Sequence, residues 1–395
     1  MASAAPADPR DDRAVERTIT IHAHVPQGVG TVYLTGNRPE LGLWDPHKFA
    51  MEGTGRERTA VLRVPDGTKL EFKFTLGSWS REGLGLSGAI TPNYHLLADA
   101  DKDVTFDIPD FKKDTADYLD TWKDSGVLGR LEYWRNMPSK YLSLPRHVEI
   151  WLPPGYDENP QARYPVLYMH DGQNLFDPRI ASTGVDWGMD EAIVRGMRAG
   201  RLPPTIVVGV WCTELRLREY SPWDMGTNYA RFLIEELMPA VNQKFRTRTG
   251  PENTTVMGSS MGGLISFWLC WKYPGTFGRG GCLSTAWTWN GTLPVQPGVR
   301  PLIEREIASG VSFPQGERMY FDYGNEGLDA SYELLQSKVA AWLAWQGLKE
   351  GKDFVVRRFP GAAHNESAWR ARLDEPLTFL LGDGSRPDSR HPDLR

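Results

Sequence analysis

The chain has 395 residues, of which 40% are hydrophobic and 24% charged, and its formal net charge is −5 at pH 7. These values are typical of a soluble globular protein with two domains, and they argue against a nucleic acid or an anionic membrane as the partner. Three cysteines, Cys212, Cys270 and Cys282, lie far apart without a CxxC pair, which argues against a disulfide framework or a zinc site. We therefore expect no metal and no cofactor.

Residues 1–17 consist mainly of Ala, Pro and charged residues with little to bury, and we expect them to be disordered. The first residues contain no apolar region of a signal peptide. Two interpretations of the compartment stay open, a cytoplasmic protein or a secreted or periplasmic one whose leader has been removed. No apolar run approaches the ~18 residues of a membrane span, and the oligomeric state stays open.

Residues 18–109 have the pattern of β-structure. Apolar and polar residues alternate at 18–25, 31–35, 59–64, 69–75 and 103–108, and Gly, Pro, Asn and Asp separate these runs. The pattern predicts a small antiparallel all-β sandwich domain.

Two stretches of this β region carry a resemblance. They are Val32-Tyr-Leu-Thr-Gly-Asn-Arg-Pro-Glu-Leu-Gly-Leu-Trp44-Asp-Pro and Glu71-Phe-Lys73-Phe-Thr-Leu-Gly-Ser-Trp79. The region resembles a starch-binding-type carbohydrate-binding module. The resemblance implies that Trp44 and Lys73 contribute to a sugar-binding face, to which we add Trp79 as a candidate. The alternative interpretation is that Trp44 and Trp79 are core or domain-interface aromatics.

The segment 110–127 is polar, and we interpret it as a linker. Strand-like and helix-like segments alternate over 128–383, which predicts an α/β domain, and residues 384–395 are predicted to form a flexible tail. The predicted strands are 128–135, 147–152, 164–169, 205–211, 254–258, 281–284, 319–323 and 353–359. The predicted helices are 186–199, 228–245 (with Pro239 an unfavourable residue inside it), 264–273, 300–309, 331–346 and 366–381. Together they predict the α/β-hydrolase fold, a mostly parallel eight-stranded sheet flanked by helices.

The most informative stretch is Gly258-Ser-Ser-Met-Gly262, between a β-type run and an apolar helical run. This is G-x-S-x-G at a strand-to-helix turn, and it follows the fifth predicted strand. Such a turn needs small flanking residues, exposes the Ser260 Oγ and puts a helix N-terminus behind it. The stretch therefore predicts Ser260 as a nucleophile, and the alternative is a Gly/Ser-rich loop without function.

A serine nucleophile needs a base and a third group that orients the base, in the chain order Ser, Asp or Glu, His. Two histidines follow Ser260, and His391 lies in the polar tail, so His364 is the predicted base. The acid should follow the seventh predicted strand, where the loop offers Asp329, which we prefer, and Glu326 as the alternative.

An oxyanion hole requires two backbone N–H groups. We predict that Met261, directly after the nucleophile, supplies one. The loop after the third predicted strand, residues 170–174, supplies the other, and Gln173 is the candidate. His170 and Asp171 are predicted to shape this loop.

Three stretches now carry a second resemblance: Tyr164-Pro-Val-Leu-Tyr-Met-His-Asp-Gly-Gln-Asn-Leu-Phe176, Gly258-Ser-Ser-Met-Gly-Gly263 and Gly361-Ala-Ala-His-Asn-Glu-Ser-Ala-Trp369. The catalytic half resembles the putative-esterase family, which includes feruloyl and acetylxylan esterases, siderophore trilactone esterases and mycolyltransferases. In mycolyltransferases the residue after the D-G pair donates the second oxyanion N–H, so the resemblance also implies this role for Gln173.

Aromatic residues follow two of the predicted strands at the end where α/β proteins bind ligands. Trp211 follows the fourth strand, and Trp287 and Trp289 follow the sixth. We predict that they line the pocket, because tryptophan stacks on sugar or aryl rings. Arg218 is a candidate for holding an anionic or phenolic group, and a solvated loop arginine is the alternative.

These features predict a serine carboxylic-ester hydrolase that forms an acyl-enzyme and acts on a small-molecule or polysaccharide-linked ester. The two resemblances imply acyl esters of carbohydrates, such as acetyl or feruloyl esters. A siderophore or other lactone esterase and an acyltransferase to a sugar acceptor are alternatives. A third alternative is a carbohydrate-binding protein whose hydrolase domain is inert.

Overall fold

The structure is a computed structural model of the chain, and it describes residues 15–85, 90–112, 119–292 and 298–382. The chain divides into two compact units, residues 1–115 and 116–395. This division lies within the segment 110–127 that the sequence predicts as a linker. Most of the predicted disordered N-terminus, residues 113–118 of the predicted linker and the whole predicted tail lie outside the described residues.

The first unit is built from short strands. These are β1 (Glu16–His24), β2 (Tyr33–Gly36), β3 (Phe49–Ala50), β4 (Glu57–Pro65), β5 (Thr68–Thr75), β6 (Gly83–Leu84), β7 (Tyr94–Ala98), β8 (Lys102–Asp107) and β9 (Asp110–Phe111), with 3-10 helices at Pro39–Trp44 and Trp79–Arg81. They form sheets in the orders β4-β1-β8, β3-β2-β5-β7 and β6-β9.

The two larger sheets of this unit share one hydrophobic core. Side chains alternate between buried and exposed along β1 and β4, as they do in strands with one face on a core. Ile21 and Leu62 from one sheet and Phe72 from the other belong to the same buried cluster, which is how two sheets pack face to face. The predicted antiparallel arrangement needs one correction, because β1 pairs with β8 in parallel. The two strands lie at opposite ends of this unit's chain, so no tight hairpin constrains their direction.

The second unit contains an eight-stranded mixed sheet. Its strands are β10 (Arg130–Met137), β11 (Arg146–Leu152), β12 (Val166–His170), β13 (Ile206–Val210), β14 (Thr254–Ser259), β15 (Arg279–Leu283), β16 (Arg318–Tyr323) and β17 (Phe354–Arg358). Their order is β10-β11-β13-β12-β14-β15-β16-β17. β11 runs antiparallel to both of its neighbours, and the pairs from β13 to β17 are parallel. The carboxyl ends of the parallel strands therefore meet at one edge, where α/β proteins build their sites.

Helices connect these strands. The α-helices are α1 (Met189–Arg198), α2 (Arg216–Glu219), α3 (Gly226–Arg231), α4 (Met238–Lys244), α5 (Met261–Lys272), α6 (Leu302–Ala308), α7 (Glu333–Trp345), α8 (Glu366–Arg372) and α9 (Asp374–Leu381). 3-10 helices lie at Trp122–Ser125, Gly172–Asn174, Pro251–Asn253 and Gly327–Ser331. None of the helices in the described ranges has both the length and the apolar character that a membrane span needs.

Two predicted helices are each divided, in both cases near a proline. The predicted helix 228–245 consists of α3, a π-helical segment at Phe232–Leu237, and α4. Pro239 has no N–H to donate. The π-helical turn before it is wider, with the Met238 N–H donating to the Leu233 carbonyl, and Pro239 therefore lies at the start of α4. The predicted helix 366–381 is α8 and α9, with Pro376 in the first turn of α9, where N–H groups have no partner within the helix.

Helix α5 lies at the centre of the second unit. Every residue from Met261 to Trp271 is buried, and the helix contacts both β14 and β15. A helix that is apolar all round fits only where protein surrounds it. Its first turn is therefore fixed rigidly at the carboxyl end of β14.

Candidate active site

Ser260 lies on a strained turn between β14 and α5. Its φ is 56° and its ψ is −120°, a conformation that residues with a Cβ rarely adopt. Gly258 and Gly262 lie so close that a Cβ on Gly258 would be 3.0 Å from the Gly262 backbone, which leaves little room for a side chain there. The Ser260 N–H donates to the Leu283 carbonyl over 2.9 Å, and the Ser260 carbonyl accepts from Ala286 N–H over 3.1 Å. Ser260 is partly exposed while its flanking residues are buried.

The Met261 N–H is the first amide of α5. The N–H groups of a helix's first turn have no acceptor within the helix, and the helix dipole makes this end favourable for negative charge. Met261 itself is buried. This amide therefore has the position that sequence reasoning gave it, directly behind the serine.

Asp329 and His364 form a hydrogen-bonded pair. The His364 Nδ1 and the Asp329 Oδ1 lie 2.6 Å apart. The Asp329 Oδ2 accepts two further bonds, from the Ser284 Oγ over 2.6 Å and from Gly324 N–H over 2.7 Å. Burial alone would raise the pKa of the Asp329 carboxyl, but these three hydrogen bonds outweigh it and the pKa lies below its ordinary value. Asp329 is therefore an ionised group held in one orientation.

Glu326, the alternative acid, does not meet His364 through its side chain, which is exposed. Its backbone has a different role, because the N–H groups of Asn325 and Glu326 both donate to the Ala362 carbonyl over 3.1 Å. A Cβ on Gly324 would be only 2.0 Å from that same carbonyl. The acid loop and the histidine loop are thus joined backbone to backbone, and the structure brings Asp329 rather than Glu326 to the imidazole.

Ser284 connects the acid to the last helices. Its Oγ donates to Asp329 and accepts from the Trp369 Nε1 over 3.0 Å and from the Arg372 guanidinium over 2.8 Å. Arg372 also makes a bidentate pair with Asp322, which lies within β16. Burial raises the pKa of Asp322 to about 6 despite that guanidinium. Asp322 is thus engaged away from His364, in line with its position inside a strand.

The loop between β12 and α1 is fixed from the side by α2. Asp171 has a left-handed backbone, with φ of 56°, and its carboxylate makes two 2.7 Å hydrogen bonds with Arg216. Its N–H donates to the Tyr220 hydroxyl. Burial would raise the pKa of Asp171, and the Arg216 charge lowers it below the ordinary value. A Cβ on Gly172 would meet the Gly209 backbone at 2.4 Å, which shows how closely the loop packs on β13.

Gln173 lies in the 3-10 turn of this loop, and its side chain is held in place. Its Nε2 donates to the Cys212 Sγ over 3.1 Å, and its Oε1 accepts from Cys212 N–H over 3.3 Å. The side chain is therefore fixed from behind, and the Gln173 N–H belongs to the first turn of a helix, where amides are free of helical acceptors.

His170 shapes the same loop from within the core. Its Nδ1 lies 2.9 Å from the Tyr229 hydroxyl, and burial lowers its pKa to about 3. The imidazole is thus neutral over the ordinary pH range. These contacts are those expected of a residue that shapes the loop.

The predicted pocket residues have different surroundings. Trp287 is only 1% exposed and donates to the Gln336 Oε1, so it is a core residue and we withdraw it from the substrate-binding set. Trp211 and Trp289 are also mostly buried, Trp211 against Leu119 and Ile180 and Trp289 bound to the Ser221 hydroxyl. The Arg218 side chain is 60% exposed and pairs with Asp224, the surroundings of a solvated loop arginine. The arginine that points into the site's loops is its neighbour Arg216.

The predicted sugar-binding residues of the first unit also differ in their exposure to solvent. Lys73 is buried, and its ammonium lies 3.1 Å from the buried Glu82 carboxylate. Because its ammonium is paired with Glu82 inside the protein, Lys73 cannot belong to a sugar-binding face, and we withdraw it from the predicted sugar-binding residues. Trp44 and Trp79 are partly exposed, and their ring centroids lie 6.3 Å apart.

Comparison with known proteins gives the family. Residues 139–380, which are more than half of the chain, match the family model described as Putative esterase. The chain belongs to this esterase family. The match confirms the predicted family, and the eight-stranded sheet described above is the α/β-hydrolase-like fold expected from it.

Individual proteins similar to this chain agree with the fold. A ferulic acid esterase of known structure aligns with a TM-score of 0.51 and 17% identity over 64% of this chain and 98% of its own. The enterochelin esterase of Shigella flexneri aligns with a TM-score of 0.51 and 15% identity over 91% of both chains. The endo-1,4-beta-xylanase/feruloyl esterase of Xylanibacter ruminicola is 25% identical over 264 residues, 65% of this chain and 31% of that protein. The chain spans between 31% and 56% of the length of the curated relatives it matches.

Sequence reasoning missed several residues of this candidate site. One sequence signal pointed to Ser284, since it directly follows β15, the strand that pairs with β14, but serine at a strand end is common. Arg372 and Trp369 lie in a helix and meet Asp322 and Ser284 only through the fold. The described residues contain no group of three or more His, Cys, Asp or Glu side chains that could hold a metal ion.

Proposed function

We propose that this esterase is a serine carboxylic-ester hydrolase in which Ser260 attacks the ester, His364 transfers the proton and Asp329 orients the imidazole. The observation that carries the proposal is the 2.6 Å hydrogen bond between the Asp329 carboxylate and the His364 Nδ1. An Nδ1–H donated to the carboxylate leaves the Nε2 as the acceptor for the Ser260 proton. The strained turn at Ser260 supports its role as the nucleophile.

The reaction proceeds through an acyl-enzyme. As the Ser260 Oγ attacks the ester carbonyl, its proton moves to the His364 Nε2 and negative charge develops on the carbonyl oxygen. The N–H groups of Met261 and Gln173 stabilise that oxygen, and the imidazolium then protonates the leaving alcohol. Water repeats the sequence on the acyl-enzyme, with His364 again as the base.

For the substrate we propose acyl esters of carbohydrates, of the acetyl or feruloyl type, either as small molecules or linked to a polysaccharide. The similarity to the Xylanibacter ruminicola xylanase/feruloyl esterase over 65% of this chain supports this class. Trp211 and Trp289 remain candidate contacts at the edge of the site, and Arg218 is a weaker one because Asp224 already pairs with it.

Hydrolysis of p-nitrophenyl acetate, p-nitrophenyl butyrate and methyl ferulate tests the proposal. We expect Ser260→Ala to lose at least ~10³-fold in kcat, and intact-mass spectrometry to detect an acyl adduct on the wild type alone. Ser259→Ala is the matched control, because it removes the adjacent hydroxyl, and it should keep its activity. Equal turnover by wild type and Ser260→Ala would refute the mechanism.

A second candidate is a siderophore or other lactone esterase. It is favoured by the fold likeness to the Shigella flexneri enterochelin esterase, which extends over 91% of this chain. Competition between a catecholate trilactone and methyl ferulate, compared by kcat/KM, separates the two classes. A preference for the trilactone of more than about tenfold would replace the carbohydrate proposal.

We further propose that residues 18–109 form a carbohydrate-binding-like module joined by the linker 110–127 to the catalytic domain 128–383. The partly exposed pair Trp44 and Trp79 supports a sugar contact. Retardation of the full chain in glucan-containing gels tests it, with Trp44→Ala and Trp79→Ala expected to abolish the retardation. Unretarded migration of the wild type would leave the module a structural role.

A further inference from the structure

A pocket lies at the amino ends of the parallel strands, the edge of the sheet opposite to Ser260. It has a volume of about 390 Å³, and its charged lining residues are Arg201, Arg248, Arg279 and Glu252. Arg279 is the first residue of β15, whereas Ser260 follows the carboxyl end of β14. The pocket is therefore separate from the candidate active site, and it contains three arginines but one glutamate.

The positive charge of this pocket is only partly balanced. Among the residues that the structure describes, no carboxylate forms an ion pair with the guanidinium of Arg248 or Arg279. Arg248 is also exposed to solvent. Arg201 lies 3.8 Å from the Asp374 carboxylate, but that carboxylate pairs with Arg195 as well. The pocket thus has guanidinium groups that can accept an anion from solution.

The Glu252 carboxylate is held by its own turn. Its Oε1 accepts from the Asn253 Nδ2 over 2.7 Å. Both carboxylate oxygens lie beside Gly250, where a Cβ would be 2.8 Å from each of them. Glu252 contributes a negative charge near Arg279, but a single carboxylate leaves an excess of positive charge among the residues that line the pocket.

Arg279 has a second arginine as its neighbour. Arg279 and Arg318 are partners in the register of β15 and β16. Arg279 donates to the Leu380 carbonyl over 2.5 Å, near the end of α9. Arg318 donates to the Phe379 carbonyl over 3.2 Å. Burial and the charge of Arg318 lower the pKa of Arg279 below its ordinary value. Because a guanidinium carries five N–H donors, these single bonds leave donors available for a ligand.

We propose that this pocket binds a small oxyanion of the phosphate type through the guanidinium groups of Arg248 and Arg279. A guanidinium can donate two parallel hydrogen bonds to the oxygens of a phosphate group. The bound anion supplies negative charge that the lining residues lack, and it offsets the repulsion between Arg279 and Arg318. The volume is sufficient for inorganic phosphate and for a phosphomonoester of a small molecule. The proposal is independent of the proposed function, because it uses no residue of the proposed triad or oxyanion hole.

Isothermal titration calorimetry of the full chain with inorganic phosphate tests the proposal, with NaCl keeping the ionic strength constant. We expect saturable binding of one phosphate per chain. Arg248→Gln and Arg279→Gln should each weaken binding by at least about tenfold, the loss for a hydrogen bond between charged groups. Arg305→Gln is the matched control, since Arg305 is exposed in α6 and does not line the pocket. It should bind phosphate as the wild type does.

The two pocket variants differ in their risk to the fold. Arg279 bonds to α9, so Arg279→Gln can lower stability, whereas Arg248 is exposed and Arg248→Gln should keep the wild-type melting temperature. Absence of saturable heat with the wild type would overturn the proposal, as would wild-type affinity in Arg248→Gln. A loss in Arg305→Gln as large as that in Arg248→Gln would also overturn it, because binding would then follow net charge alone.

The same titration with glucose 1-phosphate identifies the source of the phosphate group. Tighter binding than that of inorganic phosphate would assign the pocket to a phosphomonoester whose remaining atoms also contact the protein. Equal or weaker binding would assign it to the free anion. In both cases Arg248→Gln has to reduce the affinity. Because calorimetry needs no turnover, the result does not depend on whether the chain hydrolyses any ester.

Discussion

Asp329→Asn is the substitution that tests the site most directly, because the structure predicts which way the new amide will face. The Asp329 Oδ2 accepts from the Ser284 hydroxyl and from Gly324 N–H, while Oδ1 accepts from the His364 Nδ1. An asparagine can keep the hydrogen bonds from Ser284 and Gly324 only if its carbonyl oxygen occupies the position of Oδ2. Its NH₂ group then points at His364, and the Nδ1 must become an acceptor. The proton moves to Nε2, the nitrogen that should receive the Ser260 proton, and the base is lost.

The magnitude follows from the alternatives open to the amide. In the opposite orientation the NH₂ group would face two donors, the Ser284 hydroxyl and the Gly324 N–H. Each buried hydrogen bond lost in this way costs about 1–3 kcal/mol. An orientation penalty of about 3 kcal/mol leaves roughly one molecule in a hundred with the productive tautomer. The productive fraction also lacks the carboxylate charge beside the imidazolium, which is worth several kcal/mol at this distance. We expect kcat to fall by about 10⁴-fold, the loss that this substitution produces in Ser-His-Asp triads.

The assay is the initial rate of p-nitrophenyl acetate hydrolysis, followed with thermal unfolding of the same samples. Asp329→Asn should keep most of its stability because Ser284 and Gly324 retain an acceptor. Glu326→Gln is the matched control, since Glu326 lies in the same loop with an exposed side chain. The reasoning is refuted if Asp329→Asn loses less than about tenfold, or if Glu326→Gln loses as much.

Three further substitutions test the surroundings of the proposed triad. Ser284→Ala removes a bond to an ionised acceptor and leaves the Trp369 N–H without its partner, so we expect about 1.5–3 kcal/mol less stability in urea titrations and roughly tenfold lower kcat; unchanged values in both assays would contradict its bridging role. Gly324→Ala puts a Cβ 2.0 Å from the Ala362 carbonyl and should displace the loop that carries His364. We expect kcat to fall by more than about tenfold and stability by about 1–3 kcal/mol. In the control Gly275→Ala the new Cβ meets nothing within 4 Å, so both quantities should stay unchanged. His170→Asn tests the pH dependence of stability. In the unfolded chain the imidazole gains a proton below about pH 6.5, whereas the buried imidazole stays neutral down to about pH 3. Wild-type stability should therefore fall on acidification between these two pH values by on the order of 1.4 kcal/mol per pH unit. Urea titrations at pH 7 and 4.5 should give a smaller difference for His170→Asn, and an equal difference would show that other groups cause it.

The strained turn at Ser260 was predictable from sequence because local chemistry determines it. Ser260 has a positive φ between strand and helix, and small residues fit beside it because a Cβ would be 3.0 Å from the Gly262 backbone at Gly258 and 3.3 Å from the His170 Cβ at Gly262. The sheet was predictable for a similar reason, since apolar runs separated by helical patterns leave few possible topologies. The prediction of the α/β-hydrolase-like fold and of the esterase family is confirmed on this basis.

Long-range packing explains what sequence did not predict. Trp287 follows a strand at the edge expected for a pocket, yet the space beside it is filled by Phe267 and Gln336, and only the fold determines which aromatic residues remain accessible. Lys73 matched a family position, but its partner Glu82 is brought to it by the fold of the first unit. Ser284 is an ordinary residue whose importance depends on its hydrogen bond to Asp329, a contact that no local sequence pattern encodes.

A comparison of Asp322 with Asp329 indicates how the site keeps Asp329 ionised and also available to His364. Arg372 pairs with Asp322 and reaches Asp329 only through the Ser284 hydroxyl. The pKa of Asp329 is held down by three hydrogen bonds without a cation bound directly to it, while burial leaves that of Asp322 raised to about 6 even with a guanidinium. A carboxylate already neutralised by arginine would attract a developing imidazolium less strongly. Because Arg372 reaches Asp329 only through Ser284, the full charge of Asp329 remains available to His364, which becomes positive in the mechanism that we propose.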